Sequence, residues 1–97
     1  MKSVFHFKSE DKSEVEEILE EDPVSRLSIT QRDCESLEFD MNGFFVLLDG
    51  DDEKVKRAKE RLEDMSETLE EEVKEEVIEK IEKAEQESME SFGSIFG

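Results

Sequence analysis

The chain has one cysteine, one histidine, one proline and four glycines among 97 residues, and each scarcity closes a route. With Cys34 alone, there is no internal disulfide and no thiolate cage for a metal. His6 lies within a predicted strand without a partner motif, which argues against acid–base catalysis, and Asp33 and Glu35 beside Cys34 argue against a reactive thiolate. The glycines form no phosphate-binding loop, and no nucleophile motif is present. A catalytic role is therefore not expected. Apolar runs are short: none approaches the ~18 residues of a membrane span. Met1-Lys2-Ser3-Val4 leads directly into strand-like alternation instead of a signal peptide, so a cytoplasmic protein is expected.

Positive charge is also scarce. Thirteen Lys and Arg face thirty Asp and Glu, for a formal charge of −17. The excess is even along the chain, −8 over residues 1–50 and −9 over residues 51–97. Direct nucleic-acid binding draws affinity from cations that neutralise phosphates, so it is disfavoured, as is an anionic membrane surface. Cations and basic protein surfaces are the electrostatically favoured partners.

What is present is periodicity. Lys2 to Lys8 alternates, with Phe5 and Phe7 on one face and Val4 and His6 on the other, which predicts a strand. Asp11-Lys12-Ser13-Glu14 resembles a capping box, and Val15, Ile18 and Leu19 form the apolar face of a helix that ends before Pro23. From Val24 the period becomes two, with Leu27 and Ile29 on one face. Leu37, Phe39 and Met41 alternate with Glu38 and Asp40 and predict a further strand. Asn42-Gly43 supplies a hairpin signal, and Phe44-Phe45-Val46-Leu47-Leu48, apolar on both sides, should be the central strand with cover on each face.

A last helix is expected from about Asp52 to Ser91, roughly 60 Å long and far longer than a small sheet needs. A shift in its apolar stripe near Leu69 marks a break close to Ser66 and Thr68. The expected fold is α+β and two-layer: a four-stranded sheet in the order strand, helix, strand, strand, strand, helix, with the helices on one face and a long C-terminal helical extension. Residues 1–66 form the expected compact domain, and 67–97 a charged helical extension with an apolar tail.

Asp49-Gly50-Asp51-Asp52-Glu53 is the strongest chemical feature. Asp49, Asp51, Asp52 and Glu53 can supply oxygen ligands from both sides of the turn at Gly50, a donor set that suits calcium better than a transition metal. The same acids also suit a helix N-terminus, whose unpaired N–H groups stabilise negative charge. With four strands, chain direction brings Asp33, Glu35, Glu10 and Asp11 to the same end as this loop. Glu20-Glu21-Asp22 opposes the dipole at the end of the first helix, so Glu21 and Asp22 are candidates for a cation, with Arg26 as the alternative compensator.

The tail Gln86-Glu87-Ser88-Met89-Glu90-Ser91-Phe92-Gly93 resembles a sliding-clamp-binding box at Gln86, Met89 and Phe92, with Gly93 where a second aromatic belongs and Phe96 displaced. Residues 1 to about 65, through Val24-Ser25-Arg26-Leu27-Ser28-Ile29-Thr30-Gln31-Arg32-Asp33 and Leu48-Asp49-Gly50, resemble a small family of acidic archaeal α+β proteins of unassigned activity. That resemblance implies calcium at acidic loops and no catalysis. The expected function is a non-enzymatic binding protein that carries a divalent cation, calcium, on its acidic loops. The alternative is a protein-interaction module that self-associates through residues 67–91 or offers its tail to a sliding clamp.

Overall fold

A computed structural model describes residues 1–96, with side chains described through Gln86. Three strands, β1 (Lys2–Phe7), β2 (Ser28–Asp33) and β3 (Phe44–Asp49), form a sheet in the order β1-β3-β2. Both outer strands run antiparallel to β3, so β1 and β2 are parallel to each other with β3 inserted between them, a split β-α-β arrangement. Helix α1 (Lys12–Leu19) makes the crossover from β1 to β2. Helices α2 (Asp52–Leu62) and α3 (Glu71–Phe96) follow β3. Among the described residues no helix is long and apolar enough to cross a membrane.

The period-two pattern of the strands sorts their side chains onto two faces. Phe5, Phe7, Phe44, Val46 and Leu48 pack against Val15 and Leu19 of α1 and Val55, Ala58 and Leu62 of α2. On the opposite face, Val4, Phe45 and Leu47 pack against Leu37, Leu69, Val77 and Ile81. Helices therefore cover both faces, and the expected two-layer fold is corrected to three layers. β3 is central and buried from Phe44 to Leu48, because a strand apolar on both sides loses stability wherever either side meets water.

The expected strand across Leu37 to Met41 is not formed, and the sheet has three strands instead of four. The segment begins as a 3-10 turn over Glu35–Leu37, followed by Glu38 in the left-handed region at φ 64°. The Cys34 carbonyl accepts from Leu37 N–H at 3.2 Å and Phe39 N–H at 3.0 Å, and Ser36 Oγ donates to the Asp33 carbonyl at 2.7 Å. Local bonds thus satisfy the backbone that a ladder would have used. The alternation of Leu37, Phe39 and Met41 reflects burial without strand pairing: all three pack on the second face, with the Phe39 ring edge-on to Phe45 at 5.2 Å. Gly43 closes the connection at φ 101°, where a Cβ would collide with the Phe7 carbonyl oxygen.

The last helical run is broken in two near Ser66, where the shift in its apolar stripe predicts a break. α2 ends at Leu62, and residues 63–70 cross the edge of β1, where Glu67 N–H donates to the His6 carbonyl at 2.7 Å. Ser66 Oγ donates to the Glu63 carbonyl at 3.0 Å, the kind of local bond by which serine competes with helix. The crossing delivers α3 to the second face, so a boundary at residue 66 would divide this core between Val4 and Ile81. Ile81→Ala should lower unfolding free energy by about 2–5 kcal/mol, whereas Lys83→Ala on the exposed side should stay within about 0.5 kcal/mol. Urea unfolding of the two variants measures both, and equal small losses would mean that α3 does not seal the sheet.

Candidate functional site

The Asp49–Glu53 loop joins the end of β3 to the start of α2, and Asp52 and Glu53 occupy the first helical turn, where their charge complements the exposed N–H groups. The loop is held from two sides. Gly50 N–H donates to the Met1 carbonyl at 3.1 Å, and the Met1 amino group donates to the Gly50 carbonyl at 3.0 Å and lies 3.4 Å from Asp52 Oδ1. A Cβ on Gly50 would stand 2.6 Å from Leu27 Cδ2, so a side chain there would require the Leu27 methyl to shift. Asp51, Asp52 and Glu53 are exposed.

Strand direction separates this loop from the acids expected to join it. Asp49 pairs with Lys2 of β1 and Ser28 of β2, while Asp33 pairs with Phe44 at the far end of β3, where Phe7 also lies. Asp33 and Glu35, together with Glu10 and Asp11 after β1, are thus one strand length, about 20 Å, from Asp49. The expected convergence of three acidic loops is corrected for a simple reason. One strand fewer before β3 reverses its direction, and the loop that follows it emerges at the opposite end.

Glu21 and Asp22 are engaged by arginines. Arg61 forks onto Glu21, with Nη2 at 2.8 and 2.9 Å and Nε at 3.1 Å, and Arg26 Nε lies 2.8 Å from Asp22. The hydrogen bonds from Arg61, aided by its charge, hold the Glu21 carboxyl below the usual glutamate value. Among the described residues no three His, Cys, Asp or Glu side chains stand together as a metal-ion cluster.

Two groups with catalytic chemistry serve the fold. His6 is buried, with Nε2 donating to the Asn42 carbonyl at 2.7 Å and its ring 5.4 Å from Phe45. It borders an open cleft of about 720 Å³ where Lys8 Nζ lies 3.4 Å from Glu67. Cys34 is buried, and burial, reinforced by the Asp33 charge, pushes its thiol upward and away from the thiolate.

A smaller groove of about 160 Å³ lies between the sheet and α3, lined by Lys2, Ser28, Thr30, Asp49, Glu82 and Glu85 with Leu47 at its base. Lys2 hydrogen-bonds to Glu82, and this bond, with the charges of Glu82, Asp49 and Glu85, raises its pKa. Sequence reasoning missed Glu82 and Glu85 because it placed that part of the chain beyond the domain. Of the partner-binding candidates, Gln86 is exposed on α3, and the side chains of Met89, Phe92 and Phe96 lie outside the described residues.

The Glu21–Arg61 pair makes a signed prediction. A carboxyl whose folded pKa is depressed contributes stability above its unfolded pKa and loses it as pH falls through the folded value. Carboxyl titration by NMR should place the Glu21 midpoint below that of an ordinary glutamate, and Arg61→Gln should move it up; no movement would mean that the pair does not persist in solution. Comparison with known proteins finds no matching family model, no matching curated protein and no matching solved structure.

Proposed function

We propose that the chain is a non-enzymatic protein-interaction module whose partner surface is the part of α3 that outruns the sheet. The observation that carries this reading is a mismatch of length. α3 has 26 residues, about 39 Å at helical rise, against strands of six residues and about 20 Å. Its buried contacts with the sheet, Val77 and Ile81, precede Glu82, and Lys83 through Gln86 are exposed. Beyond Gln86 the sequence resumes apolar spacing at Met89, Phe92 and Phe96, an i, i+3, i+7 amphipathic pattern. The commitment of His6 and Cys34 to the fold supports a non-catalytic reading, and the charge of −17 supports a basic partner over an acidic one.

Removing residues 87–97 tests this directly. The shortened chain should unfold at nearly the same urea concentration but lose association in sedimentation, either self-association or binding to a sliding clamp. Association equal to that of the full chain would sink the proposal.

A second reading, a weak divalent-cation site, is favoured by Asp51, Asp52 and Glu53 standing exposed together where β3 passes into α2. Calcium prefers such oxygen donors and binds weak sites at around millimolar concentration. Titration followed by backbone amide shifts should then move Gly50 to Glu53 saturably and leave Asp33 and Glu35 unaffected. A response of the same midpoint at both ends would indicate general screening instead of a site.

A further inference from the structure

The two outer edges of the sheet differ. That of β1 is partly used, because Glu67 N–H donates to the His6 carbonyl. β2 pairs with β3, and among the described residues no strand lies beside its other edge. Which of its backbone groups face outward follows from one bond. Cys34 N–H donates to the Gly43 carbonyl at 3.1 Å, continuing the β2–β3 register by one pair. Hydrogen-bonded pairs alternate in an antiparallel ladder, so the even-numbered residues of β2 bond to β3. The N–H and C=O groups of Ile29, Gln31 and Asp33 point away from the sheet. The same rule applied to β1 from the Met1–Gly50 pair turns His6 outward, as its bond to Glu67 requires.

Two side chains already sit on the β2 edge, and one of them is Ser36, whose Oγ donates to the outward Asp33 carbonyl at 2.7 Å. The Arg32 guanidinium donates to the outward Gln31 carbonyl at 2.9 Å. Such a self-contact protects an edge strand, and a competing backbone donor can displace it. Next to this edge the surface is negative. Ser28 and Thr30 line the groove that also holds Asp49, Glu82 and Glu85 against a single lysine, Lys2, and Thr30 Oγ1 donates to Glu85 Oε1 at 3.3 Å.

We propose that the β2 edge binds an extended segment of a basic protein by strand addition. The segment pairs with the backbone of Ile29, Gln31 and Asp33, and alternate Lys or Arg side chains lie on the α3 face toward Glu85 and Glu82. Backbone pairing supplies affinity and the period-two placement of side chains supplies specificity, as in other strand-addition complexes. A second copy of the chain is the poorer occupant, because each brings a charge of −17. The backbone groups invoked here belong to β2 and not to α3, so either proposal can fail while the other stands.

The test uses the full chain and a synthetic peptide of alternating lysine and threonine, followed by amide hydrogen exchange. At saturation the amides of Ile29, Gln31 and Asp33 should exchange at least about tenfold more slowly. A glutamate–threonine peptide should give no protection, Glu82→Gln with Glu85→Gln should weaken the lysine peptide, and Arg32→Ala should strengthen it. Unchanged exchange at these three amides would overturn the proposal. So would equal binding of a backbone N-methylated lysine peptide, which keeps the charge and lacks the donors. Protection of the same amides without peptide, in a chain that sediments as a dimer, would assign the edge to a second copy and also reject it.

Discussion

β3 is apolar on consecutive residues, and everything else in the fold follows from the need to shield it on two sides. Phe44, Val46 and Leu48 bury one set of side chains and Phe45 and Leu47 the other. A fully buried apolar side chain of this size contributes about 1.5–3 kcal/mol, so leaving either face wet would forfeit several such contributions. α1 and α2, with Val24 and Leu27 between α1 and β2, cover the first face. The second is closed by the Leu37–Met41 segment and by α3, which reaches it because residues 63–70 pass around the edge of β1.

Charge plays a different part. Among the described residues the ion pairs lie on the surface, Arg61 with Glu21 and Arg26 with Asp22 among them. Such pairs contribute about 0–1 kcal/mol each, too little to set an architecture. They do neutralise local acid: Arg61 and Arg26 relieve Glu21 and Asp22 where the carboxylates would otherwise stand unopposed near a helix end. The net charge of −17 still favours basic partners and opposes close packing of identical chains.

The acidic segments show how strongly their placement depends on strand count. Asp49–Glu53, Asp33–Glu35 and Glu10–Asp11 are recognisable from sequence as polar breaks between apolar elements. Whether they share an end depends on the parity of the strands between them. The Leu37–Met41 alternation looked like a strand because burial in a folded loop and burial in a ladder leave the same period-two trace over so few residues. The bonds that distinguish them, from Leu37 and Phe39 to the Cys34 carbonyl, involve backbone that every residue carries.

Sequence alone determined the faces of β1, the helix ending before Pro23, the central position and double burial of Phe44–Leu48, and the break near Ser66 in the last helical run. These are legible because local periodicity and side-chain chemistry encode them. Only tertiary structure decided that the sheet has three strands, that helices cover both faces, that Glu82 and Glu85 meet Thr30 and Lys2, and that Asp49 lies far from Asp33. Each of those depends on how the chain reverses and which edge it crosses, and reversals are set by long-range burial that a local pattern does not carry.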